Sequence, residues 1–149
     1  MRPRREEMRE RPAISKTELE VLKVLWTLDS GTVRDVEAVL RDRGTSWAYN
    51  TVLTLLQRLQ SKGYVKSDKR AFAHVFRPAL SREDLLRQSL RSLKEKVCEG
   101  TAAPLVRAMV EGQRFTAEEI AELKDLVEKL DRKRSEAEGK RKRETEERP

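Results

Sequence analysis

Within residues 13–80 the hydrophobic period changes once, and the change falls at Gly63. Before Gly63, apolar residues recur in three successive segments at the 3.6-residue spacing of amphipathic helices. After it, the pattern alternates every second residue over Tyr64–Arg77, which is typical of strands, and Pro78 ends the run. Ser67–Arg70 interrupts the alternation and predicts a turn. The chain is therefore expected to fold as three helices followed by a two-stranded hairpin.

Start and stop signals bound each of the three helices. Ser15 and Glu18 have the spacing of a capping box, in which the hydroxyl accepts from an early backbone N–H and the carboxylate reaches back. Glycine can take the positive φ that often follows a helix C-terminus. The expected helices begin at Ser15, Thr32 and Thr45 or Ser46, and they end at Asp29-Ser30-Gly31, Arg43-Gly44 and Gly63.

The third helical segment, Ser46–Lys62, carries no carboxylate on its outward face. The chain is 40% charged, yet no Asp or Glu occurs between Thr45 and Lys66. A helix that meets phosphates and base edges excludes acids and keeps short hydroxyls, amides and Arg, so this is a candidate DNA-recognition helix. A buried helix with a neutral rim is the alternative. The apolar stripe contains Val52, Leu55, Leu56 and Leu59. The outward face contains Asn50, Thr51, Thr54, Gln57 and Arg58.

Three short helices and a hairpin with a basic tip predict a mainly α fold, a winged helix-turn-helix with a helical segment after it. In this fold the third helix enters the major groove and the wing lies along the phosphates. Residues 13–80 carry eleven basic and seven acidic side chains, which suits a polyanion-binding module. The base-edge candidates are Asn50, Thr51, Thr54 and Arg58. The phosphate candidates are Lys16, Lys62, Lys66, Lys69 and Arg70.

Residues 81–130 are nearly neutral in charge, and we interpret them as a segment that mediates dimerisation. Ser81 and Thr116 each open a helical pattern with an acid three residues later, and Pro104 falls in the first turn of a third. Three short helices bury their stripes poorly alone, so packing on a second copy is expected, with covering of the chain's own winged domain as the alternative. The expected dimerisation residues are Leu86, Leu90, Leu93, Ile120, Leu123, Val127 and Leu130.

The two ends of the chain are highly charged. Residues 1–12 are expected to form a flexible basic arm. Residues 131–149 are expected to be a frayed helix end and a disordered tail, because so few apolar side chains cannot offset the entropy of ordering. This tail is interpreted as a solvated charge run, and a second DNA contact is the alternative.

The sequence argues against an enzyme, a metal protein and a membrane protein. With one His and one Cys it has neither a nucleophile–base set nor the ligands of a soft metal site, and no cofactor is expected. His74 is expected to pack within the hairpin, and Cys98 to be a small hydrophobe, with a redox-sensing thiol as the alternative. No apolar run approaches a membrane span, so we expect a cytoplasmic protein.

At this point the chain resembles a known family, the penicillinase-repressor group of winged-helix regulators (BlaI/MecI/CopY). The resemblance covers about residues 13–130 and is densest in SKTELEVLKVLW, WAYNTVLTLLQRLQSKGYV and RAFAHVFRPALSREDL. It implies a homodimeric repressor that binds double-stranded operators of dyad symmetry. It also implies that Asn50, Thr51, Thr54 and Arg58 occupy the positions that touch the operator. A winged-helix protein-interaction module without specific DNA binding is the alternative function.

Two departures from the family's patterns concern how the repressor is released. The copper-responsive branch uses paired cysteines near the C-terminus, and this chain has only Cys98. The β-lactam branch is cleaved by a sensor-protease system, in some members at an Asn–Phe bond, and the only asparagine here, Asn50, precedes Thr51. The resemblance therefore leaves a regulatory protease as an expected partner, with cleavage near Cys98–Pro104. Oxidation of Cys98 is the competing route.

Overall fold

The computed structural model describes residues 11–70 and 72–148, without the side chain of Arg70. It contains six helices and one two-stranded antiparallel sheet within that part, which confirms the mainly α winged-helix fold. The elements are α1 (Lys16–Leu28), α2 (Val33–Asp42), α3 (Tyr49–Ser61), β1 (Val65–Arg70), β2 (Ala73–Pro78), α4 (Arg82–Val97), α5 (Ala103–Gly112) and α6 (Ala117–Glu146).

The helix starts follow the predicted caps, with one exception. Full capping boxes open α1, α2, α4 and α6 at Ser15, Thr32, Ser81 and Thr116. Helix α3 begins later than expected, at Tyr49, and its N-cap Ala48 makes no side-chain hydrogen bond. The residues before it are held by other contacts, since the Thr45 N–H donates to the carbonyl of Leu40 and Trp47 packs against the core.

The wing is longer than the sequence predicted. Its register runs from Val65 opposite Pro78 to Arg70 opposite Ala73, so the predicted turn Ser67–Arg70 belongs to β1 instead. Phe76 is buried, but His74 is exposed, which corrects the expectation that it packs within the hairpin. The inner half of the hairpin is anchored because Gly31 and Phe76 exchange backbone hydrogen bonds of 2.9 and 2.8 Å, whereas the outer half projects beyond the core.

The core lies between the three helices and the inner wing, and α4 is attached to it. The indole N–H of Trp26 donates to the carbonyl of Leu80 at 3.0 Å, and Leu85 packs against the core. The chain divides into two compact units, 1–99 and 100–149, so α4 belongs to the same unit as α1–α3 and the wing. The buried residues of the core are Val21, Leu22, Val24, Leu25, Val33, Val36, Leu40, Val52, Leu55, Leu56, Leu59, Tyr64, Val65, Phe76 and Leu80.

The end of the expected flexible arm is bound to the first unit. The Arg11 guanidinium donates to the carbonyl of Gly63 at 2.9 Å and stacks over the Tyr64 ring, and the Tyr64 hydroxyl donates to the carbonyl of Pro12 at 2.6 Å. Arg11 and Pro12 are thus held by the backbone of Gly63 and the side chain of Tyr64, at the junction of α3 and the wing. Residues 1–10 lie outside the described residues.

The second unit contains α5 and α6, and α6 continues to Glu146. This differs from the disordered tail expected for residues 131–149. Glu, Lys, Arg and Ala are good helix formers, and pairs at i,i+4 such as Lys129–Asp125 and Arg134–Glu138 add support. Helix propensity and local ion pairs therefore account for the extension of α6, since these residues are not buried.

Candidate nucleic-acid interface

Helix α3 presents two exposed faces beside its buried one. Placing its residues at roughly 100° intervals puts the buried side chains on one side of the helix. The residues that we call the polar face, Asn50, Thr51, Thr54 and Arg58, are all exposed and cover the opposite arc. A second arc, between the polar face and the core, contains Tyr49, Leu53, Gln57 and Gln60. The four base-edge candidates are therefore brought together on one surface.

Helix α3 contains no acidic residue along its whole length. The first turn of α3 contains no acidic residue, and its last turn contains Arg58. Since Ala48 provides no side-chain cap, the first N–H groups of α3 keep their partial positive charge. The surface is thus suited to a polyanion.

Thr54 has restricted hydrogen-bonding capacity. Its hydroxyl donates to the carbonyl of Asn50 at 2.8 Å, within the same helix. A hydroxyl has one proton to donate, so in this rotamer the side chain can still accept a hydrogen bond and offer its methyl group. On a base edge it would accept from an amino group or pack on the thymine methyl.

The wing presents cations on both of its faces. Lys66 and Lys69 are exposed, and alternation along β1 places them on opposite faces. Lys69 lies opposite His74, on the face that contains the buried Phe76. Asp68 forms an ion pair of 3.6 Å with Arg77, so its charge is offset locally. The side chain of Arg70 lies outside the described part of the chain.

Lys62 is engaged in a different role from the one predicted. Its ammonium donates to both carboxylate oxygens of Glu18 at 2.9 Å and to the carbonyl of Ala13 at 2.8 Å. All three of its donors are used, so none is left for a phosphate. Lys16, the remaining phosphate candidate, is exposed at the first residue of α1.

The carboxylate of Glu18 is held in its charged form. Burial alone would raise the pKa of Glu18, but hydrogen bonds from Lys62 and from the backbone and hydroxyl of Ser15 outweigh it. The pKa of Glu18 is therefore below its ordinary value. Burial raises the pKa of Tyr64, partly offset by the nearby Arg11 charge.

A cleft of about 670 Å³ opens between α3 and the wing. One wall is the second exposed arc of α3, and the other is the wing, which contributes Ser67, Phe72, Ala73, His74 and Phe76. The start of α2 closes the end of the cleft, where the Arg34 guanidinium stacks at 5.4 Å from the centre of the Tyr49 ring. Arg34 and Tyr49 were not among the site residues predicted from the sequence. The only sequence signal for Tyr49 was its place in the acid-free segment between Thr45 and Lys66.

Apolar side chains on the three C-terminal helices are exposed. On α4 they recur at spacings of four, three and four residues, and on α6 at three, four and three, the spacing of a helix–helix seam. Helix α4 contributes Leu86, Leu90, Leu93 and Val97. Helices α5 and α6 contribute Val106, Met109, Val110, Ile120, Leu123, Leu126, Val127 and Leu130. Exposed fractions of 39–69% leave these stripes largely uncovered.

Metal-binding clusters and membrane-spanning helices are both absent from the described residues. No group of His, Cys, Asp and Glu side chains there is arranged to hold a metal ion. No helix among them is both long and apolar enough to cross a membrane.

Comparison with known proteins identifies the family. The sequence model of the penicillinase repressor family matches residues 14–129. This chain belongs to the penicillinase repressor family. It is 31% identical over 121 residues to the penicillinase repressor of Bacillus licheniformis, covering 81% of this chain and 94% of that protein. It is 25% identical over 118 residues to the methicillin resistance regulatory protein MecI of Staphylococcus aureus strain N315, covering 78% and 94%.

Among solved structures, this family member is similar to the monomeric form of Bacillus licheniformis BlaI in complex with the blaP half-operator. The identity is 33%, the match covers 50% of this chain and 90% of that one, and the TM-score is 0.43.

Proposed function

We propose that this protein is a transcriptional repressor that binds a dyad-symmetric DNA operator as a homodimer. The observation that carries the proposal is the polar face of α3, which is exposed, free of acids and turned away from the side of the helix that packs in the core. Membership of the penicillinase repressor family and 31% identity to the penicillinase repressor of Bacillus licheniformis support it.

In this proposal α3 enters the major groove. Asn50, Thr51, Thr54 and Arg58 contact base edges, and their amide, hydroxyl and guanidinium groups match the donors and acceptors presented there. Lys66, Lys69, Arg70 and Lys16 contact phosphates and contribute affinity without sequence preference. Lys62 is left out of the set because its ammonium is bound by Glu18.

The homodimer is proposed from the uncovered stripes on α4, α5 and α6. Contiguous exposed apolar surface on a soluble protein marks an interaction site. We propose that a second copy of this chain covers these stripes. The apolar residues of α6 have the spacing of a helix–helix seam, so the same stripe on two copies can pack together across a two-fold axis. Two-fold symmetry of the protein would then match two half-sites about one helical turn, or a multiple of it, apart.

Release is proposed to occur by proteolysis between Cys98 and Pro104. The boundary between the two compact units falls there, and Glu99 and Gly100 have positive φ values of 52° and 84° between α4 and α5. Cleavage would separate the first unit from α5 and α6, so bivalent binding would be lost while α3 stays intact. A fragment ending between Cys98 and Pro104 should accumulate on induction, in a Cys98→Ser variant as in the wild type. Loss of induction in that variant, with full-length protein persisting, would point to the thiol instead.

The proposed function is tested by selecting binding sites from random-sequence duplexes with the full-length protein. An inverted repeat should be enriched, and its affinity should fall steeply with salt, with a slope of log K against log salt of about −5 to −7 for six to eight phosphate contacts. Absence of enrichment together with salt-insensitive DNA binding would overturn the proposal and favour a protein-interaction module.

A further inference from the structure

We propose that the cleft between α3 and the wing seats the sugar–phosphate backbone of one DNA strand, with Arg34 as a phosphate contact. This inference rests on the proposed function and adds a second contact surface to the polar face. The occupant is defined by its chemistry, a phosphodiester backbone.

The first step is the geometry of α3. A helix with its side chains is about 10–12 Å across, and the major groove is about 12 Å wide, so a helix in the groove has a backbone strand along each flank. The arc of Tyr49, Leu53, Gln57 and Gln60 directly flanks the polar face, and it is one wall of the cleft. With the polar face on the base edges, one strand must therefore pass along this wall.

The second step is the chemistry of the lining. Polar donors are spread over the cleft, from the amides of Gln57 and Gln60 to the hydroxyl of Ser67 and the ring of His74. Leu53 and Phe72 add apolar surface to the same lining. A lining that combines polar donors with apolar surface suits a backbone in which charged phosphates alternate with deoxyribose rings. Small-molecule sites are more enclosed and more apolar.

The third step is the position of Arg34. Its guanidinium is held over the Tyr49 ring at 5.4 Å, a contact that orients it without neutralising it. Within the described part of the chain no carboxylate pairs with Arg34, since neighbouring Asp35 directs its carboxylate to the Thr32 N–H at 2.9 Å. An oriented, unpaired cation at the end of the cleft is available to a phosphate.

The wing supplies the opposite wall. Lys69 and His74 face each other across the strands, on the same face as the buried Phe76. Phe72 is fully exposed at the wing tip and lines the cleft. In the proposed complex the Phe72 ring packs on deoxyribose, and Lys69 and Arg34 contact phosphates from opposite sides.

The test uses the full-length protein and a mixed-sequence duplex, because phosphate contacts are independent of sequence. Arg34→Gln should weaken binding about 5- to 10-fold at low salt and make the salt slope shallower by about one per subunit. Phe72→Ala should weaken binding without changing the slope. Tyr49→Phe, which keeps the ring under Arg34, should retain the wild-type slope. Arg41→Gln, at the other end of α2, is the matched control and should change neither quantity.

Wild-type slope and affinity in Arg34→Gln would overturn the inference while leaving the proposed function intact. Salt-insensitive binding by the wild type would instead remove the proposed function itself. A titration with inorganic phosphate alone, monitored through the amide chemical shifts of residues 32–34, distinguishes a site for free phosphate from a site for the DNA backbone. Saturation at submillimolar phosphate would indicate a small-anion site and overturn the backbone assignment, and the absence of saturation supports it.

Discussion

The Lys62 ammonium lies 2.9 Å from both carboxylate oxygens of Glu18, and this pair joins the C-terminus of α3 to the first turn of α1. Only 3% of the Glu18 side chain and 27% of the Lys62 side chain are exposed. Each charge also has the favourable sign for its helix end, since acids stabilise N-termini and bases stabilise C-termini. The pair therefore fixes the orientation of the candidate recognition helix against the core.

Lys62→Met should lower the free energy of unfolding by about 2–4 kcal/mol, because it leaves the Glu18 carboxylate buried without its partner. Lys23→Met is the control. Its ion pair with Glu20 has both side chains more than 40% exposed, so a change of about 0–1 kcal/mol is expected. Urea unfolding followed by circular dichroism measures both. Equal losses in the two variants would contradict the structural role of Lys62.

The same pair should make stability depend on pH. The pKa of Glu18 is lower in the folded state than its ordinary value of 4.5, so the folded state binds fewer protons and unfolding becomes harder as pH rises through this range. The contribution should be fully present above pH 4.5 and lost as pH falls through the folded pKa. Urea unfolding at several pH values should show this loss in the wild type and a smaller one in Glu18→Gln. Parallel curves would argue against it.

Lys69 and Lys62 should differ in their effect on DNA binding. Lys69→Gln should make the salt slope shallower by about one per subunit, because it removes a phosphate contact. The double variant Glu18→Gln/Lys62→Gln removes a cation without leaving a buried charge, and its slope should equal that of the wild type. Fluorescence anisotropy on one mixed-sequence duplex measures the salt slope of each variant. A shallower slope in the double variant would show that Lys62 does contact a phosphate.

Thr54→Ala should weaken binding to the selected operator about 10-fold and leave mixed-sequence DNA nearly unchanged. The side chain carries no charge, and a good base contact contributes about 1–3 kcal/mol of discrimination. Thr54→Ser keeps the hydroxyl that bonds Asn50 but loses the methyl group, so it reports the methyl contribution separately. Equal weakening on operator and random DNA would show that Thr54 does not contact bases.

Leu123→Asp should abolish dimerisation while the first unit stays folded, because it places an unpaired charge in the proposed seam. Lys124→Asp adds an acid at the neighbouring position outside the stripe and should leave the dimer intact. Sedimentation velocity gives the oligomeric state, and circular dichroism gives the fold. A dimer in Leu123→Asp, or one formed by a 1–99 fragment as stable as the full chain, would place the interface elsewhere.

Local rules account for much of this fold. The capping boxes at Ser15, Thr32, Ser81 and Thr116 depend on residues three positions apart, and the change of period at Gly63 depends on neighbours two to four positions apart. Such short-range patterns fix the type and order of the elements. The exposure of the polar face of α3 was predictable for the same reason, since its period places it opposite the apolar stripe.

Tertiary structure decided what depends on distant partners. Lys62 and Glu18 are 44 residues apart, so only folding turns a predicted phosphate contact into a structural ion pair. Arg34 and Tyr49 meet because α2 packs against α3. Ser67–Arg70 forms strand and not a turn because these residues pair with Ala73–Phe76 of β2. The sequence by itself determined the elements and the charge of the candidate interface. The packing of α1, α2 and the wing around α3 determined which of its cations remain available to DNA, because a cation that meets a buried carboxylate is neutralised there.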